Sequence, residues 1–143
     1  MTPETRKSVK ERANYLCEYC LALSKFSFHP FSIDHIIPLS QNGTDDFENL
    51  AFSCQHCNNC KYNRSNYADP LTRKMATLYN PRSDIWLNHF VWNEDETIII
   101  GITPTGRATV ACLKMNRQEA VNLREALREF GVHPPGVKKS RDE

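Results

Sequence analysis

The chain has 143 residues, 40% hydrophobic and 24% charged, with 18 Lys and Arg against 17 Asp and Glu and a formal charge of +1. That balance excludes binding of a polyanion by bulk charge, so any such binding rests on local placement of cations. No apolar run approaches the roughly 18 residues that a membrane span needs, and the polar start MTPETRKSVKERANYL is not expected to act as a signal peptide.

The expected compartment is therefore reducing and cytoplasmic, where six cysteines point to metal before disulfides. Neither half is a basic module: residues 1–67 carry seven Lys/Arg and seven Asp/Glu, and residues 68–143 carry eleven and ten.

Pro3-Glu4-Thr5 opens a helical pattern through about Leu16. Val9, Ala13 and Leu16 form one face, and Glu4, Arg6, Lys7, Lys10, Glu11 and Arg12 are expected in solvent. Cys17-x-x-Cys20 follows, then an aromatic stretch over Phe26–Phe31 in which His29 reads as a loop residue. Ser32–Ile37 alternates as a short strand, with Ile33 and His35 on one face and Asp34 and Ile36 on the other. Pro38–Glu48 contains Pro, Asn-Gly and Asp-Asp and reads as a loop. Asn49–Ser53 is expected to pair back as a hairpin, and Gln55–Asn66 to form a helix beneath it.

Beyond Ser65 the segment punctuated by Asp69-Pro70 and Asn80-Pro81 reads as linker-like. His89–Asn93 and Thr97–Ile102 predict a second hairpin. A helix is expected from Pro104 or Gly106 to about Met115. Asn116 is expected to cap a further helix, with Glu119 at the capping-box position and an apolar stripe of Ala120, Leu123, Leu127 and Phe130. The predicted organisation is a domain over 1–67, a hairpin-and-helix extension over 68–133, and a disordered tail over 134–143. The fold class is α+β.

Two Cys-x-x-Cys knuckles, Cys17/Cys20 and Cys54/Cys57, stand 33 residues apart. Each can give two thiolates to one metal, and four close a tetrahedral zinc site with no place for water, which makes the site structural. Cys60 could replace one member but would sit a turn further along the helix, and Cys112 reads as a small core residue. Between the knuckles lie Asp34 and His35. A carboxylate can hold a hard cation such as Mg²⁺, an imidazole can take a proton from water, and the Asn58 amide oxygen offers a second ligand. Asn49 is placed to brace the loop through its side chain.

These residues resemble the HNH endonucleases, with their ββα-metal fold. The resemblance is carried by Cys17-x-x-Cys20, Ile33-Asp34-His35-Ile36-x-Pro38, Gly43, Glu48-Asn49-Leu50 and Cys54-x-x-Cys57-Asn58-x-x-Lys61. It implies His35 as general base, Asp34 and Asn58 as ligands of a catalytic Mg²⁺ or Mn²⁺, Asn49 as the residue orienting the loop of the base, and the cysteine quartet as the zinc-containing branch. Asn42-Gly43 stands where Gly-Gly is common, and Tyr62 where Gly is common.

Lys61 is a candidate phosphate contact, against the competing reading of a solvated helix lysine. For Arg82 and Arg107, structural ion pairs are favoured over phosphate binding, and Trp86, Phe90 and Trp92 are expected in the core of the extension. The implied function is a metal-dependent DNA endonuclease. The alternative is a zinc-stapled nucleic-acid-binding module with a vestigial cleavage site. A third reading is an interaction module whose extension docks a protein partner.

Overall fold

The computed structural model describes residues 1–137; residues 138–143 of the tail read as disordered lie outside the described residues. The architecture is α+β, with small antiparallel sheets and packed helices. Two compact units are present: Met1–Ser65 with Asn80–Arg82, and Asn66–Tyr79 with the described residues from Ser83 onward. No helix among the described residues is long and apolar enough to cross a membrane.

The first unit begins with α1 (Pro3–Arg12), capped by Thr2, whose hydroxyl accepts from the Thr5 amide. The helix stops earlier than its apolar spacing suggests. Asn14 and Tyr15 adopt positive φ, and Leu16 turns away to bridge Leu23. Strands β1 (Ser32–His35) and β2 (Leu50–Ser53) pair antiparallel, Asp34 opposite Ala51 and His35 opposite Leu50. Helix α2 (Gln55–Lys61) follows at once. Val9, Ala13, Leu50 and Phe52 form the buried apolar cluster, with Phe31 and Ile33 packed on it. A two-stranded hairpin is not stable in isolation, so α1 and α2 supply what it lacks.

α2 ends at Tyr62, which has φ +50° and lies 76% exposed. Glycine is the low-cost residue in that conformation, which accounts for its frequency at this position in the resemblance noted above. Gly43 is required for a different reason. A Cβ there would lie 1.8 Å from the Ile37 carbonyl oxygen, so only glycine lets the loop close on the end of β1.

In the second unit the linker-like reading is corrected. Residues 66–77 hold a hairpin of β3 (Asn66–Ala68) and β4 (Met75–Thr77). Its turn is organised by Asp69, fully buried and bound to Arg107 through both carboxylate oxygens at 2.9 Å. A short helix α3 (Trp86–His89) precedes the predicted hairpin, which is β5 (Phe90–Trp92) with β6 (Ile99–Gly101). Helices α4 (Pro104–Cys112) and α5 (Gln118–Glu129) complete the unit. Gly106 of α4 lies where a Cβ would meet the His89 carbonyl oxygen at 2.0 Å.

Trp86 and Phe90 are buried and stack with ring centroids 4.9 Å apart, and Cys112 is buried as expected. The predicted face of α5 holds only in part: Leu127 is buried as expected, but Leu123 and Phe130 are exposed and Arg124 is buried instead. Arg124 donates to the carbonyls of Thr97 and Met115 and stands over the Trp92 ring. Asn116 is not the cap. Its amide exchanges two hydrogen bonds with the backbone of Ile99, and Arg117 takes the cap position without a side-chain bond.

Candidate metal centre and active site

The knuckles converge. The sulfurs of Cys17, Cys20, Cys54 and Cys57 all lie within 4.8 Å of one another, and all four residues are buried. Zn–S bonds of about 2.3 Å put the edges of a tetrahedron near 3.8 Å, and the Cys20 and Cys54 sulfurs are 3.8 Å apart. Sulfur also substitutes for backbone acceptors. Cys54 caps α2 by accepting from the Cys57 amide at 3.3 Å, and Cys17 accepts from the Cys20 amide at 3.5 Å. Hydrogen bonds from Cys17, Cys20 and Cys57 pull the Cys54 thiol far below its ordinary pKa. The donor set and its closure fit a structural zinc ion. Cys60 lies outside the group and contacts His56 at 3.5 Å.

Strand alternation then separates Asp34 from His35. Asp34 turns inward and is 4% exposed. Its Oδ2 accepts from the Tyr19 hydroxyl at 2.7 Å and lies 3.1 Å from the Lys61 ammonium, whereas Oδ1 has only a 3.4 Å contact with that ammonium. Burial raises the pKa of Asp34, against the lowering pull of Lys61 and Tyr19. Lys61 is 1% exposed and also donates to the carbonyls of His35 and Ile36 at 3.1 and 3.0 Å. Both sequence-based readings of Lys61 are thus corrected. It is neither solvated nor at a surface where phosphate could reach it; it bolts the last turn of α2 to β1.

His35, on the other face, keeps its side chain 24% exposed, and its Nε2 lies 2.6 Å from Oδ1 of Asp45 in the loop. That hydrogen bond holds the Asp45 carboxyl below its ordinary pKa. The loop is fixed by Asn49. Its Nδ2 donates to the carbonyls of Ile37 and Thr44 at 3.0 and 2.8 Å, and its Oδ1 accepts from the Ile37 amide at 2.9 Å. Asn58 sits half-exposed on α2, directly after Cys57. Asn58 and Lys61 are three residues apart, hence on one helix face, and that face meets β1 because Lys61 reaches Asp34.

Residues 17–64 match the family model for HNH endonuclease. This segment is an HNH domain. No curated protein and no solved structure matches the chain. The family implies nuclease activity in general, and the four-cysteine cluster fits its zinc-bearing form.

Several residues that shape the HNH domain escaped the sequence reading. Asp45 was visible only as loop punctuation, although an acid ten residues after a candidate base is a usable signal. Tyr19, between two cysteines of the cluster, gave none. Arg12 precedes the matched span and was expected in solvent. Instead its guanidinium lies 3.6 Å from the Phe47 ring centroid and donates to the carbonyls of Phe47 and Leu50, on either side of Asn49. Arg82 pairs with Glu18, which accepts from the Phe52 amide.

Proposed function

We propose that the chain is a metal-dependent DNA endonuclease in which His35 is the general base and Asp34 and Asn58 hold a Mg²⁺ or Mn²⁺ ion. The observation that carries this reading is the bond between His35 and Asp45 inside the matched HNH span. A carboxylate accepts but does not donate, so Nε2 carries the ring proton and Nδ1 keeps its lone pair. Nδ1 is then the atom that takes a proton from the attacking water, and Asp45 balances the imidazolium that results. Asn49 keeps Asp45 within reach by tying down the loop between Ile37 and Thr44.

The oxygen donors suit a hard cation. Tyr19 and Lys61 bind Asp34 mainly through Oδ2, in the manner of partners that orient a ligating carboxylate, and an ion at Oδ1 would take the place of its 3.4 Å contact with Lys61. A bound divalent ion would supply stabilisation of charge on the phosphate and on the departing 3′ oxygen. The zinc cluster sets where α2 begins and therefore where Asn58 stands.

The test is supercoiled plasmid incubated with zinc-loaded protein, with and without Mg²⁺ or Mn²⁺. His35→Ala should lower the divalent-dependent cutting rate by about 10²–10⁴-fold with zinc content unchanged, and Asp45→Asn should lower it by less. Cutting by His35→Ala at the wild-type rate would remove His35 from the role. One observation favours the second reading, a nucleic-acid-binding module without cleavage: Lys61 already neutralises Asp34. Under that reading the wild-type protein binds plasmid and leaves it intact at every divalent concentration.

A further inference from the structure

The β3–β4 hairpin is built with unusual care for an exposed turn. Asp69, fully buried, accepts from the Leu71 amide and the Thr72 hydroxyl, both at 3.0 Å, and is gripped by Arg107. Its backbone closes the turn in both directions, with the Asp69 amide donating to Lys74 at 2.9 Å and the Arg73 amide to Asp69 at 2.8 Å. Arg73 is held at φ +65°, a conformation costing an ordinary residue about 1–2 kcal/mol. What this framework presents is a set of unpartnered side chains. Arg73 and Lys74 are exposed, and among the described residues neither side chain has a hydrogen bond or ion pair. Leu71 and Met75 flank them, 71% and 68% exposed.

The charge is one-sided. From Asn58 to Arg82 the sequence holds five cations and a single acid, Asp69. That acid is consumed by Arg107, Lys61 by Asp34 and Arg82 by Glu18. In a chain of net charge +1, the tip therefore offers an anion two free cations and no competing carboxylate.

We propose that the β3–β4 hairpin is a DNA-contacting finger, with Arg73 and Lys74 on backbone phosphates and Leu71 and Met75 against the sugar edge of a groove. The inference rests on the nuclease reading above for its choice of nucleic acid. A tip fixed before contact loses little entropy on binding, and phosphate contacts fix register without reading sequence. Leu71 and Met75 match the apolar side chains that proteins set against groove edges.

The experiment compares His35→Ala protein, which binds without cutting, with the same protein carrying Arg73→Asn and Lys74→Gln. Asn tolerates positive φ, and Trp86 and Trp92, both in the second unit, report by fluorescence that the unit remains folded. Binding to a fluorescent DNA duplex is followed across salt concentration. Each lost phosphate contact lowers the slope of log K against log salt by about 0.9. The double substitution should therefore lower it by about 1.8, and weaken binding roughly 60-fold at about 0.1 M salt, with the difference vanishing near 1 M.

Unchanged slope and affinity, in a protein whose wild-type form cuts plasmid, overturn the finger and leave the nuclease reading standing. A wild-type protein that neither binds nor cuts DNA overturns both. A loss seen with an RNA duplex but not with DNA overturns the choice of DNA.

Discussion

Lys61→Met tests the buried bolt between α2 and β1. The ammonium is almost without solvent contact, 3.1 Å from Asp34 Oδ2, and it satisfies the carbonyls of His35 and Ile36. Methionine fills much the same space but leaves a buried carboxylate with only Tyr19, and two carbonyls without this donor. Removing one member of a buried pair typically costs about 3–5 kcal/mol. The two carbonyls add up to about 1–3 kcal/mol each where water does not replace the donor. Protonation limits the first cost, because burial already raises the Asp34 pKa and loss of Lys61 pushes it further up. The expected total is about 4 kcal/mol, a large share of the 5–15 kcal/mol that holds a typical domain. Urea unfolding followed by circular dichroism at fixed zinc measures it. The second half of the experiment adds Mg²⁺. If Asp34 holds the catalytic ion, Mg²⁺ should restore about 2.7 kcal/mol to Lys61→Met at 100 times its Kd and less to the wild type, where the ammonium competes. A Lys61→Met protein within about 1 kcal/mol of wild type, with no response to Mg²⁺, would refute the reasoning.

Two further outcomes are expected. Metal analysis should find about one zinc per chain, since four thiolates close one tetrahedron, and Cys54→Ser should lose both the metal and the start of α2, read as reduced zinc and helicity; full zinc retention contradicts the site. Asp69 is held below its ordinary pKa chiefly by hydrogen bonds from Arg107. Its contribution to stability is therefore present above about pH 4 and lost as pH falls through the lower, folded-state value. Asp69→Asn should flatten the acid limb of the second unit's stability curve, read by tryptophan fluorescence, and an unchanged limb would show that the Asp69–Arg107 pair is not coupled to folding.

What the sequence made legible follows from the kind of signal each residue carries. The cysteine cluster and the ββα core were readable because Cys-x-x-Cys spacing and strand alternation are local patterns with few alternative geometries. The placement of Asp34 and His35 on opposite faces followed from the same period of two. Lys61 and Arg12 were misread, and Arg124 was passed over, for one reason. Each is a long cation whose stem can lie on apolar surface while its head finds carbonyls or a carboxylate far away in sequence, and no local pattern announces such a partner. The α5 stripe held only in part because Arg124 took an inward position that hydrophobic periodicity assigns to an apolar residue. The β3–β4 hairpin was hidden because its large apolar residues, Leu71 and Met75, point outward and break the alternation that marks a strand, and its anchor, Arg107, lies in a helix nearly forty residues on.

These long cations also bear on how the site is held in register. The cluster of Val9, Ala13, Leu50 and Phe52 holds few side chains, and sliding one strand by a single residue would exchange the faces of Asp34 and His35. Apolar packing is permissive about such a slip; directional bonds are not. Lys61 reads the carbonyls of His35 and Ile36, Arg12 those of Phe47 and Leu50, Asn49 both polar groups of Ile37, and Glu18 the amide of Phe52. Each is a statement about one backbone position on β1, on β2 or in the loop between them. The cysteine cluster fixes where the helix starts, and these four side chains fix which residue of each strand stands opposite it. On this argument a variant that keeps its zinc but loses one of them stays folded as a ββα unit while the alignment of Asp34, His35 and Asn58 loosens, so cutting should fall before zinc is released.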